Sequence, residues 1–96
     1  MELNELSKKC HKMASGKGFW NADKSIPVKL MLIVSELGEA CEADRKGNIE
    51  NFYEEIADVF IRLCDLVGYL ELDIETEIAM KMNINKNRPK LHGKKY

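Results

Sequence analysis

The sequence predicts an all-α chain, an antiparallel four-helix bundle-like subunit that further copies of itself complete. Three observations lead there. Apolar residues recur at helical spacing over four successive stretches. Glycine and proline punctuate the joints, at Gly16-Lys17-Gly18, Gly47-Asn48 and Pro89. At 96 residues the chain is a single domain, 1–96, near the size where one core gives only modest stability, so a partner subunit is expected to finish it.

Taken in order, Leu3, Leu6, Cys10 and Met13 mark a first helix over residues 2–15. Phe19 and Trp20 then lead a loop through Asn21, Ala22, Asp23 and Lys24. Phe19 is expected to plug this loop onto the bundle. Trp20 is either a second plug or a flat surface for a base. Ser25 is placed to cap, and Pro27 to open, a second helix from Pro27 to Lys46. Its apolar stripe is Leu30, Ile33, Val34, Leu37 and Cys41. A third helix follows over Ile49 to Leu70, with the stripe Phe52, Ile56, Val59, Phe60, Leu63 and Val67. Asp73 caps a fourth helix, on which Ile74, Ile78, Lys81, Asn85 and Arg88 share one side. Pro89 ends it, and Lys90 to Tyr96 reads as a basic tail.

Charge is balanced overall, 15 basic against 16 acidic residues for a net −1, which gives no case for a general nucleic-acid or membrane-surface binder. Acids nevertheless dominate residues 36–77, and the segment after Lys81 is basic. Cys10, Cys41 and Cys64 match no zinc or CxxC spacing and read as buried, reduced thiols of a cytoplasmic protein. No transmembrane run or signal-peptide architecture is expected.

Against this background two acidic motifs stand out. Glu36 and Glu39 lie one above the other on the second helix, as Glu55 and Asp58 do on the third. Each pair falls ~120–180° round from its helix's apolar stripe, in the same rotational sense, so two neighbouring helices would offer both pairs to one cleft. Leu32 and Ala43 flank the first pair and make its surroundings partly buried. Four converging acids repel unless a cation lies between them. Oxygen ligands without histidine favour magnesium, with manganese the alternative. A lone Glu-x-x-Glu is common on solvated helix faces; it is the matched pairs that favour a metal site.

Lys81, Asn85 and Arg88 suit phosphate oxygens, although cations near a helix C-terminus also simply complement its dipole. Arg62 reads either as a counter-ion to Glu55 and Asp58 or as a phosphate contact. Glu39 and Glu54 are the candidate bases for a metal-bound water attacking phosphorus, and spacing does not choose between them. His11 reads as a surface residue of the first helix, and His92 as part of the tail.

Glu36-Leu-Gly-Glu39, Glu55-Ile-Ala-Asp58 and Lys81-Met-Asn-Ile-Asn85-Lys-Asn-Arg88-Pro89 together resemble the MazG-like nucleotide pyrophosphohydrolases, of the all-α nucleoside triphosphate pyrophosphatase superfamily. The Gly18-Phe19-Trp20 loop resembles the short single-domain members. The resemblance implies Mg²⁺-dependent hydrolysis of a nucleoside triphosphate to monophosphate and pyrophosphate. It implies metal ligands at Glu36, Glu39, Glu55 and Asp58, phosphate contacts at Lys81, Asn85 and Arg88, and a base contact at Trp20. It also implies a homodimer or homotetramer with sites near subunit interfaces. Ser35 stands where many members carry Glu, which leaves the usual ligand in place. Arg62 stands where some carry a base-holding aromatic, so their base preference does not transfer.

The leading expectation is therefore an NTP or dNTP pyrophosphohydrolase acting in nucleotide-pool housecleaning. The alternative is a non-catalytic helical oligomerisation or regulatory module that retains a metal site.

Overall fold

The computed structural model describes residues 2–22 and 25–96; Asp23 and Lys24 of the aromatic loop lie outside the described residues. The chain forms α1 (Leu3–Gly16), α2 (Ile26–Arg45), α3 (Ile49–Tyr69) and α4 (Ile74–Lys86), with a 3₁₀ turn at Lys90–Gly93. All four predicted helices form, three of them with each end within one residue of its expected place. The exception is α4, which stops at Lys86 and leaves Arg88 beyond it. The segment expected as a plain tail contains the 3₁₀ turn.

The joints have local causes. Gly47 takes φ 70°, and the Asn48 and Gly47 amides donate to the carbonyls of Ala43 and Asp44, closing the end of α2 with two bonds across a left-handed glycine. Asn48 then caps α3, its Oδ1 accepting from the Asn51 amide at 3.2 Å. One short joint thus stops one helix and starts the next. At the far end, Asp73 caps α4 by accepting from the Thr76 amide and hydroxyl. The N-termini of α1 and α4 cap each other. Asn4 Oδ1 accepts from the Ile74 and Glu75 amides, while the Asn4 amide donates to Glu75 Oε2 at 2.8 Å.

In the packing, α3 lies against both α1 and α2, while α4 touches α1 only slightly. The radius of gyration, 15.8 Å, exceeds the ~12.5 Å expected of a closed domain of this length, so the chain is an open helical layer. The α1–α3 contact is the tightest. Ser7 is buried there, and a Cβ on Gly68 would run into the Ser7 carbonyl oxygen and lie 2.7 Å from the His11 Cβ. Glycine is what lets these helix backbones meet.

The predicted stripe of α2 does not face the core. Leu30, Val34, Leu37 and Cys41 are exposed, and Lys29, Ala40 and Ala43 are buried instead, with Leu32, Ile33 and Glu36 half-buried beside them. The small Ala40 and Ala43 let α2 approach α3 closely, so the acidic face, not the apolar one, turns inward. On α3 the stripe divides: Val67 is buried, Phe52, Ile56 and Val59 half-buried, and Phe60 and Leu63 exposed. Cys41 is thus not the buried thiol expected of it; Cys10 and Cys64 are.

Candidate metal centre

Facing turns of α2 and α3 bring Glu36, Glu39 and Glu55 together, each offering a carboxylate oxygen within 4.8 Å of the others. Glu36 and Glu55 are half-buried and Glu39 is exposed, so the group opens to solvent on one side. Glu39 and Glu55 also line a cleft of ≈ 290 Å³ with Glu42, Lys46 and Asn51. Asp58, the fourth predicted ligand, is exposed and stands outside the cluster, as does the candidate base Glu54. The sequence motifs are thus brought together three-fourths of the way.

The electrostatics of the three acids differ. Arg62 Nε donates to Glu36 Oε1 at 2.8 Å and holds the Glu36 carboxyl below the usual carboxylate range, against the opposing effect of burial. Arg62 therefore neutralises Glu36 rather than the predicted Glu55 and Asp58. Glu55 goes the other way: burial first, then Glu39 and Glu36, push it up to about 7. Among the described residues, Glu36 Oε2 and Glu55 Oε2 are buried without a hydrogen-bond partner. Buried oxygens without a donor are costly. A hard divalent cation would satisfy both and would relieve the repulsion. The donor set therefore fits magnesium or manganese.

The predicted substrate contacts are placed less favourably. Lys81 and Arg88 are exposed, and Arg88 Nη1 donates to His92 Nδ1 at 3.3 Å. Asn85 is half-buried, its Oδ1 a third buried acceptor without a partner among the described residues. Trp20 is 5% exposed. Its ring stacks on Tyr69 at 4.1 Å, and the Lys29 ammonium sits 4.3 Å from its centroid. The ring is thus held within the fold. The plug expected of Phe19 is Trp20. Phe19 is exposed, with the Arg62 guanidinium 5.9 Å from its centroid. Amphipathic indole wins the interior because its N–H has a partner there: Nε1 donates to Asp65 Oδ1 at 2.9 Å.

Asp65 is the organising residue that the motifs did not reveal. It also lies 2.9 Å from His11 Nδ1, and His11 packs edge-on against Trp20 and Tyr69, so His11 is no surface residue. Lys29 completes the tie by donating to the Phe19 carbonyl at 2.6 Å. A signal did exist. Asp65 interrupts the run Leu63-Cys64-Asp65-Leu66-Val67, and an acid in apolar company requires a donor.

No family model, curated protein or solved structure matches this chain. Among the described residues, no helix is long and apolar enough to cross a membrane.

Proposed function

We propose that the chain is a Mg²⁺-dependent nucleoside triphosphate pyrophosphohydrolase of the MazG-like kind, converting an NTP or dNTP and water to the monophosphate and pyrophosphate. The observation that carries this reading is the Glu36–Glu39–Glu55 cluster, with its buried, unpartnered oxygens and a Glu55 carboxyl raised to about 7. Structural carboxylates are normally paired with donors; crowded, donor-poor ones fit a group that binds cations.

Glu36, Glu39 and Glu55 would hold the metal, with Asp58 joining from the next turn of α3. The ion would supply charge neutralisation at the triphosphate and acidify a bound water. The chain's own residues divide the remaining work. Arg62 fixes the orientation of Glu36. Glu39, exposed within the cluster, is the acid best placed to take a proton from an incoming water, and Glu54 is the weaker candidate. Lys81 and Asn85 on α4, and Arg88 just beyond its end, would hold phosphate oxygens. The base lies toward the loop, where Phe19 is the exposed ring and Trp20 shapes the surface from beneath.

The reading includes an antiparallel bundle closed by a second copy, as a homodimer or homotetramer. Two features support it: the exposed stripe of Leu30, Val34, Leu37 and Phe60, and an α4 with little packing within its own subunit. The same stripe would serve a helical oligomerisation module that holds a metal without turnover. Pyrophosphate release decides between them, measured across ribo- and deoxyribonucleoside triphosphates with Mg²⁺ and with EDTA. The enzyme releases pyrophosphate and monophosphate only with metal. Orthophosphate release would overturn the bond assigned. No turnover by folded, metal-loaded protein would favour the module.

A further inference from the structure

The α1–α3 interface holds a pair of thiols that the proposed reaction does not use. Cys10 on α1 and Cys64 on α3 are both buried, 7% and 6% exposed. Two contacts fix the register of the helices around them: Ser7 lies against Gly68, and His11 bonds Asp65. From the Ser7–Gly68 contact, one turn forward along α1 reaches Cys10 and His11, and one turn back along α3 reaches Cys64 and Asp65, so the two thiols lie in the same layer as the His11–Asp65 bond. Gly68 removes the side chain that would hold the backbones apart, so the two helices cross closely within one turn of both thiols. Burial and the neighbouring Cys64 thiol both push the Cys10 thiol up, as expected of two thiols facing one another out of water.

We propose that Cys10 and Cys64 form an oxidisable dithiol, a modification site at which a small two-electron thiol oxidant creates a disulfide staple between α1 and α3. One sulfur, deprotonated, adds to the oxidant. The second thiol attacks that activated sulfur, the S–S bond forms, and the reduced oxidant leaves with both electrons and both thiol protons. Because Cys10 is held protonated and buried, oxidation is slower there than at the exposed Cys41. The pair does not read as a metal site: neither thiol belongs to a group of three potential ligands among the described residues. The staple is independent of the proposed hydrolase activity.

The test uses the full-length Cys41→Ser chain, folded, treated with diamide, then denatured and labelled with a maleimide. Reduced protein takes two labels, one each at Cys10 and Cys64. Oxidised protein takes none, runs as a single chain without reductant, and yields a Cys10–Cys64 cross-linked peptide on digestion. Its thermal midpoint rises by several degrees, a gain that dithiothreitol reverses and that Cys10→Ser abolishes. Two labels retained, under diamide that consumes Cys41 in the wild-type chain, would overturn the proposal. So would a cross-linked form melting at or below the reduced one.

Discussion

Helix α3 carries two carboxylates, about three turns apart, whose surroundings are opposite. Asp65 is half-buried among donors: the Trp20 indole, the His11 imidazole and, around them, the Lys29 ammonium. Glu55 is half-buried among acids, with a buried oxygen that no donor among the described residues reaches. The first arrangement is complete as it stands and holds a loop in place. The second leaves a buried oxygen without a donor among the described residues, and under the proposed function a cation supplies the missing charge. Burial alone does not distinguish a structural acid from a functional one; the company it keeps does.

The comparison can be broken most severely at the acidic end. Glu39→Gln or Glu55→Gln removes a cluster oxygen's charge at nearly constant volume. Each should lower pyrophosphate release on the order of 100-fold or more while the far-ultraviolet circular dichroism stays unchanged. Unchanged turnover would separate the cluster from the chemistry. At the structural end, Trp20→Ala should cost about 3–5 kcal/mol in urea denaturation, because it empties the space between Tyr69 and Lys29 and leaves Asp65 without its indole donor. Gly68→Ala should cost about 1–3 kcal/mol by wedging α3 off the Ser7 backbone. A neutral result there would mean that the helices do not cross closely at this point.

Acidity sharpens the contrast more gently. Glu55 holds its proton more tightly in the folded chain than in the unfolded one. The folded state therefore binds more protons between pH 4.5 and about 7, and this contribution to stability falls as pH rises through that window. Metal-free wild-type protein should lose thermal midpoint over this range relative to Glu55→Gln, and Mg²⁺ should restore it. Parallel profiles for the two proteins would show that Glu55 is not strained. The smallest effect is expected at Asp73, whose carboxyl is held low by the Asn4 side chain and by the Thr76 hydroxyl and amide. Its stabilisation is present above the ordinary carboxylate range and is lost on acidification, so Asp73→Ala should lower the midpoint at pH 7 and converge with wild type in acid.

Much of this was legible in the sequence. Helical periodicity with Gly47-Asn48 and Asp73 at the joints located all four helices, because local capping chemistry decides where helices end. The acidic motifs led to three residues of the cluster. The faces were harder. Leu30, Val34 and Leu37 form a stripe that looks like a core stripe, yet the chain buries Ala40 and Ala43. Small residues permit close approach without adding to an apolar pattern, so periodicity overlooks them. The Trp20–Asp65–His11 tie was hidden for another reason: its members lie 45 and 54 residues apart along the chain, and no spacing rule links them. Asp58 entered the motif by its i+3 relation to Glu55; in the folded chain it is exposed and outside the Glu36–Glu39–Glu55 group.

The most direct test of the central claim is calorimetric titration of Mn²⁺ into wild type, Glu55→Gln and Glu42→Gln. Glu42 is an exposed acid beside the same cleft and outside the cluster. Saturable binding by wild type and Glu42→Gln, abolished in Glu55→Gln, is the predicted result. Equal, weak uptake by all three would contradict it and leave the cluster as three crowded carboxylates sharing a proton.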